Sequence, residues 1–110
     1  MAAKFEIKKS VNAQYFFNLK AANGEVILTS EEYTEKESAT KGIDSVKKNA
    51  PDDARYERKT AKDDKPFFVL TATNGQTLGR SEMYDSKAAM ETGIASVKKN
   101  APEAKTEDLA

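Results

Sequence analysis

The sequence lacks both cysteine and histidine in all of its 110 residues. Without cysteine the chain can form no disulfide bond, no thiolate metal site and no thiol nucleophile. Without histidine it also lacks the commonest general base and the commonest ligand of transition metals. We therefore expect no metal, no cofactor and no catalytic residues, and we predict that the chain is not an enzyme.

Net charge and long hydrophobic runs are missing as well. Lys plus Arg and Asp plus Glu number 18 each, so the formal charge is zero. Such a chain has no overall positive field to attract nucleic acid or an anionic membrane. Its apolar runs are too short to span a bilayer, and its first residues, MAAKFE, do not form a hydrophobic signal region. These features predict a cytoplasmic protein with no membrane partner, and they disfavour nucleic acid.

The most prominent feature that is present is an internal repeat. The pattern Gly-Ile-x-Ser-Val-Lys-Lys-Asn-Ala-Pro occurs at residues 42–51 and again at 93–102. A shift of 51 residues aligns 5–51 with 56–102 without a gap. Roughly two in five of the aligned positions are identical, which is the signature of a duplicated structural unit. The sequence therefore predicts two similar halves.

Each half has the pattern of three strands followed by one helix. Alternating apolar and polar residues predict strands at 4–9 and 15–20, and Asn23-Gly24 predicts a hairpin turn before a third strand at 25–29. The second copy of that third strand, residues 76–80, is weaker because Gly79 replaces Leu28. The linker at 52–54 is too short for independent domains. One half, of about 50 residues, buries too little surface to be stable alone.

We therefore predict an α+β fold of two tandem β-β-β-α(-β) repeats, with an antiparallel sheet and two helices packed on it. The halves are residues 1–53 and 54–110, related by a pseudo-twofold axis around one shared core. Because the repeat supplies an internal pseudo-dimer, we expect the chain to be a monomer.

The helix ends are predicted from their capping residues. Thr34 and Asp85 are good N-cap residues, and Asn49 and Asn100 suit a left-handed C-cap before the prolines that stop each helix. A glycine lies in the middle of each helix, where it costs about 1 kcal/mol relative to alanine. We expect the helix backbone there to approach a strand or the other helix closely.

Three sets of residues are candidates for function. The first is Ser-Glu-x-Tyr at 30–33 and 81–84, whose hydroxyl and carboxylate groups could bind a small polar ligand or include a tyrosine acid. A structural role, with the tyrosines packed before the helix and the serines bonded to loop amides, is favoured. The second set is the lysine pairs at 47–48 and 98–99, which would form a basic patch only if the helix ends met.

Phe16 and Phe67 are the third and most interesting set. Alternation places Phe17 and Phe68 on one face of the sheet and Phe16 and Phe67 on the other. If both helices cover one face, the Phe16/Phe67 face is exposed and a contiguous apolar patch there would mark a contact site. Alternatively twist, the termini or the other half cover that face. Both possibilities stay open at this point.

The ordered motifs resemble a known family. Aromatic-x-Leu-Lys-Ala-Ala-Asn-Gly-Glu at 17–25, Ser-Glu-x-Tyr at 30–33 and the repeated pattern at 42–51 resemble the YegP-like proteins, small bacterial proteins of uncharacterised function. The resemblance implies β-β-β-α-β units that assemble into one sheet with their C-terminal strands exchanged. It implies strands at 54–59 and 105–109, although the latter has no clear alternation. Two departures, Arg58 for Ile7 and Pro66 for Tyr15, place Pro66 at an edge or strand start.

The sequence does not determine the function. The leading hypothesis is a non-enzymatic binding or protein-interaction module, with Phe16 and Phe67 as the candidate binding residues and an unknown protein or small molecule as partner. One alternative is an enzyme or small-ligand binder that uses Tyr, Ser and carboxylate groups between the repeats. Another is a weak nucleic-acid binder that uses the helix-end lysine pairs.

Overall fold

The computed structural model describes residues 3–110, which form seven strands and two α-helices. The first half contains β1 (Lys4–Lys9), β2 (Tyr15–Lys20), β3 (Val26–Ser30) and α1 (Lys36–Asn49). The second half contains β4 (Tyr56–Thr60), β5 (Pro66–Thr71), β6 (Thr77–Arg80), α2 (Lys87–Asn100) and β7 (Lys105–Asp108). The predicted order of elements is confirmed in both halves. Pro66 is the first residue of β5, as its missing N–H requires.

All seven strands belong to one sheet in the order β4-β5-β6-β3-β2-β1-β7. The two halves meet where β3 pairs antiparallel with β6, and the pseudo-twofold axis relating them passes between these strands. The prediction of a wholly antiparallel sheet is wrong in one respect. The chain end forms β7 in spite of its weak alternation, and β7 runs parallel to β1 of the other half. The sheet is therefore mixed, and its last strand is exchanged between halves.

One core lies between the sheet and the helices, and both halves contribute to it. Phe5 and Phe17 from the first half and Phe68 from the second are fully inaccessible. Ile43 of α1 and Ile94 of α2 lie in the same cluster of buried side chains. Both helices therefore pack on the same face of the sheet, which leaves the other face without a helix.

A tyrosine ring explains the glycine in the middle of each helix. The rings of Tyr33 and Phe17 are stacked, with centroids 6.4 Å apart, and a Cβ at Gly42 would lie 2.6 Å from Tyr33 Oη. Tyr84 takes the same position over Gly93 in the second half. The predicted close approach exists, but it involves a side chain from the segment before the helix. The expected approach to a strand is present as well, because Phe17 Cε2 of β2 would lie 3.0 Å from a Cβ at Gly42.

Gly79 has a second, different reason to lack a side chain. It is paired with Ser30 beside the pseudo-twofold axis, and a Cβ there would lie 2.9 Å from both Leu28 Cγ and the Thr29 carbonyl oxygen. Leu28 is fully buried. The leucine of one half therefore fills the space that its counterpart would need, so the two copies differ where they meet.

The predicted helix caps are not the observed ones. The N-cap residues are Glu35, which makes no side-chain cap, and Ser86, whose Oγ accepts a hydrogen bond from the Ala89 N–H. At the other end Asn49 remains helical and its side-chain amide donates to the Ser45 carbonyl at 2.8 Å. Asn100 also has right-handed backbone angles. Hydrogen bonds within the last turn thus replace the left-handed cap.

Candidate functional site: the open face of the sheet

Phe16 and Phe67 lie on the face that the helices leave uncovered. We call this face the open face and define it by Glu6, Phe16, Asn18, Phe67 and Arg80. Alternation along β2 and β5 turns these two rings away from the core, and both are only partly buried. Neither belongs to the buried cluster nor packs against it. The helices thus leave this face uncovered, but both rings are only partly exposed, and Asn18 and Val69 on the same face are buried.

The two rings are not neighbours on the open face. Asn18, Thr29, Arg80 and Val69 form a row of paired residues across the middle of the sheet. Since β2 and β5 run in opposite directions, Phe16 and Phe67 lie on opposite sides of this row. With about 4.8 Å between strands and about 3.3 Å per residue, they are roughly 20 Å apart. The open face therefore has two separate aromatic points and a polar centre, where Asn18 Nδ2 donates to Thr29 Oγ1 at 2.9 Å.

A lysine cluster around Glu6 lies beside Phe16. The Glu6 carboxylate is 3.0 Å from Lys20 Nζ, 3.3 Å from Lys4 Nζ and 3.5 Å from Lys8 Nζ, and only 6% of its side chain is exposed. The adjacent Lys20 ammonium holds the pKa of Glu6 below its ordinary value, against the effect of burial. Lys8 is paired with Phe16 across the strands.

Sequence reasoning did not single out this cluster. Alternation at Lys4-x-Glu6-x-Lys8 already places the three side chains on one face of β1, so the signal was present. The fourth member, Lys20, comes from the paired strand, and only the register of β1 with β2 brings it to the carboxylate.

The two Ser-Glu-x-Tyr motifs have structural roles. Ser30 Oγ accepts a hydrogen bond from the buried Phe17 N–H at 2.9 Å and donates one to the Glu31 carbonyl at 2.8 Å. Ser81 makes the same two bonds in the second half. Burial, with a smaller contribution from Glu31, raises the pKa of Tyr33, so its phenol is a weaker acid than usual. The serine oxygens are thus engaged with the backbone.

The helix-end lysine pairs lie at opposite sides of the molecule. Lys47 Nζ lies 5.8 Å from the centroid of the Phe5 ring on β1, whereas Lys98 Nζ lies 5.7 Å from that of Tyr56 on β4. Four strands separate β1 from β4. Lys98 also forms an ion pair with Asp53. The pairs do not combine into one basic patch.

Comparison with known proteins places this architecture in a family. The domain of unknown function DUF1508 matches residues 10–57 and again residues 61–108. The chain belongs to the DUF1508 family. Each match starts near the second strand of a repeat and ends in the strand that follows its helix, so the DUF1508 unit includes the exchanged strand.

Relatives and solved structures agree with this assignment. A UPF0339 protein of Bordetella pertussis is 63% identical over 108 residues, which cover 98% of this chain and 96% of the relative. UPF0339 protein YegP of Escherichia coli is 56% identical over 100 residues, covering 91% of each chain. The solution NMR structure of YegP has a TM-score of 0.93 at 52% identity and covers 99% of this chain and 94% of that one. The solution NMR structure of a UPF0339 protein of Shewanella oneidensis is 51% identical and has the same TM-score. The match covers 99% of this chain and 92% of that one.

The resemblance to YegP-like proteins is thus confirmed, and so is the α+β fold of tandem repeats. The relatives are described as UPF0339 proteins, and the structure of YegP as that of a protein of unknown function. Within residues 3–110, no helix of this DUF1508 chain has the length and apolar character needed to cross a membrane.

Proposed function

We propose that this chain is a non-enzymatic protein-interaction module of the bacterial cytoplasm and that its binding surface is the open face. The observation that carries the proposal is the position of Phe16 and Phe67. Both rings project from a face without helices and lie outside the buried cluster. Aromatic residues are enriched at the centres of protein interfaces, where they supply much of the binding energy.

The spacing of the two rings fits a protein partner better than a small molecule. A typical interface buries about 800 Å² on each partner. Two anchors roughly 20 Å apart, with the polar row between them, fit within one such area. Lys4, Lys8 and Lys20 surround the Glu6 carboxylate, and Lys4 also pairs with Glu107. Three lysines against two carboxylates leave this end of the open face positive, so a partner with acidic groups near its contact to Phe16 is favoured.

The test is the double variant Phe16→Asp with Phe67→Asp. We expect it to fold, because neither ring packs in the core, and to lose a partner that the native chain captures from cytosol. Val11→Asp is the matched control, because Val11 is fully exposed and lies in the turn between β1 and β2. Unfolding of the double variant in urea would contradict the proposal by showing that the rings support the core. Retention of the same partner would also contradict it.

We also propose that the chain acts as a monomer in which the two halves replace the subunits of a dimer. The pairing of β3 with β6 and the shared core support this. Light scattering should find a monomer for the full chain, whereas residues 1–53 alone should be unfolded or dimeric. A folded monomer of residues 1–53 would refute it.

A further inference from the structure

The two outer edges of the sheet are not equivalent. The 51-residue relation makes β4 the counterpart of β1. The outer edge of β1 is covered by β7, which pairs with it in parallel from Lys4↔Lys105 to Ile7↔Asp108. Strand β4 is the last strand on its side, and no described residue pairs with its outer edge. We call that surface the β4 edge.

The backbone of the β4 edge is oriented to accept a strand. Phe68 uses both its N–H and its carbonyl on the β6 side, with Ser81 Oγ at 3.0 Å and Ser81 N at 2.9 Å. When two residues are opposite each other in an antiparallel pair, their backbone N–H and carbonyl groups point either toward the partner strand or, in both residues, away from it. Arg58 is opposite Phe68, so its N–H and carbonyl point to the outer edge, and by alternation so do those of Thr60.

The outer edge of β1, which β7 covers, shows how outward-pointing backbone groups bind a strand. Ile7 is the counterpart of Arg58, and its carbonyl accepts a hydrogen bond from the Leu109 N–H at 2.9 Å. Two ion pairs hold the acidic end of β7, Lys4 with Glu107 at 3.2 Å and Lys36 with Asp108 at 3.0 Å. A Glu-Asp-Leu segment is therefore bound by backbone pairing and by two lysines.

Both of those lysines have cationic counterparts at the β4 edge. Arg55 corresponds to Lys4, and its buried Nε has no hydrogen-bond acceptor among the described residues; the nearest carboxylate, Asp52, is at ion-pair distance, 3.5 Å. Lys87 corresponds to Lys36 and is exposed. The β4 edge thus repeats the positions of the two cations that hold the acidic end of β7. Arg55 is already near Asp52 and donates from Nη1 to the Ala72 carbonyl, whereas Lys87 pairs with no carboxylate among the described residues.

A groove of about 230 Å³ lies where the end of such a strand would fit. Its walls are Arg58, Lys59, Thr60, Pro66, Lys87 and Glu91, and Met90 contributes an apolar surface. In the first half the corresponding space lies beside Asp108 and Leu109. The residue of the first half that corresponds to Met90 is Ala39, so the two grooves differ at this position.

We propose that the β4 edge binds an extended segment of another protein, parallel to β4, with two acidic residues followed by an apolar one. The acidic groups lie against Arg55 and Lys87, and the apolar side chain enters the groove at Met90. Arg58 stays in its ion pairs with Glu91 and Asp53 and contributes its backbone. This is addition of a strand to a sheet edge, in which backbone bonds give affinity and side-chain contacts give specificity.

A second copy of this chain is a poorer occupant than another protein. The C-terminal strand of each copy already lies on β1 of its own chain. The proposal concerns a surface separate from the open face, so it can fail or hold independently of the function proposed above.

The test is an NMR titration of the full isotope-labelled chain with a synthetic Lys-Thr-Glu-Asp-Leu-Ala peptide, the sequence of residues 105–110. We expect saturable shifts of the Arg58 and Thr60 amides at peptide concentrations of about 1 mM, typical of a weak contact. Lys87→Glu should weaken binding about tenfold because it reverses a charge that pairs with the peptide. Lys99→Glu is the matched control, since it makes the same charge change at the far end of α2, and it should have no effect.

Any of the following results would overturn the proposal. One is the absence of shifts at β4. The second is equal binding of a peptide in which Glu and Asp are replaced by Lys, or shifts only at residues 4–8, which would mean that the peptide displaces β7. The third is concentration-dependent oligomers of the native chain that Lys87→Glu dissociates, which would make a second copy the occupant. Phe16→Asp with Phe67→Asp should leave peptide binding unchanged.

Discussion

Gly42→Ala tests whether the middle of the helix is held open for a tyrosine ring. On an isolated helix this change is favourable by about 1 kcal/mol, because alanine has the higher helix propensity. In this protein the new Cβ would lie 2.6 Å from Tyr33 Oη, 3.1 Å from Tyr33 Cζ and 3.0 Å from Phe17 Cε2. Normal contacts between such atoms are about 3.5–4.0 Å, so the ring must move by about 1 Å.

The ring cannot make that movement without loss. It is stacked on Phe17, and the Tyr33 backbone is bonded to Tyr15 in both directions, at 2.6 and 2.7 Å. Overpacking of this kind costs about 1–3 kcal/mol. After subtraction of the gain in helix propensity, we expect Gly42→Ala to lower the free energy of unfolding by about 0–2 kcal/mol.

Urea denaturation of the native chain, Gly42→Ala, Tyr33→Ala and the double variant separates the helix-propensity gain from the clash with the ring. In a Tyr33→Ala background the ring is absent, so Gly42→Ala should be close to neutral or stabilise by up to about 1 kcal/mol. The double-mutant cycle should therefore show a coupling energy of about 2 kcal/mol. If Gly42→Ala stabilises the native chain, or if its effect is the same in both backgrounds, the ring does not explain the glycine.

Three further predictions concern single buried groups, each measured by urea denaturation. Ser30→Ala leaves the buried Phe17 N–H without its acceptor and should cost about 1–3 kcal/mol; no loss would mean that another group accepts that bond. Gly79→Ala presses a methyl group against the facing strand and should cost about 2 kcal/mol, and a stabilised variant would contradict that close contact. Because Lys20 lowers the pKa of Glu6 from its ordinary 4.5, the stabilisation by Glu6 is present above that pH and is lost as the pH falls through the lower folded-state value. Glu6→Gln should therefore lose less stability than the native chain between about pH 7 and about pH 3; equal losses would refute this.

Local patterns were enough to predict the elements of the fold. The period of two in β1 and β2, the Asn-Gly turns and the helical stripe each depend on neighbours in sequence. The repeat then supported each prediction a second time, because each element occurs at two positions 51 residues apart. Helix caps were predicted less well. Thr34 and Asn49 have the right chemistry for caps, but Glu35 is the N-cap and Asn49 bonds to Ser45 within the helix.

The features that bear on function depend on contacts between distant parts of the chain. Alternation placed Phe16 and Phe17 on opposite faces of the sheet, but it could not show which of those faces the helices cover. The Glu6 cluster required the register of β1 with β2 to bring Lys20 to the carboxylate. A sequence with two equivalent halves also gives no sign that one edge is covered and the other open.

The sequence by itself determined the duplication, the order of elements and the absence of cysteine and histidine chemistry, because each follows from residue types and their spacing. Only the tertiary structure decided that both helices lie on one face and that the last strand pairs with β1. A chain of two repeats has one C-terminal strand to exchange, and it covers one edge of the sheet. Among the described residues no strand pairs with the β4 edge, although its sequence descends from the same repeat as the covered one.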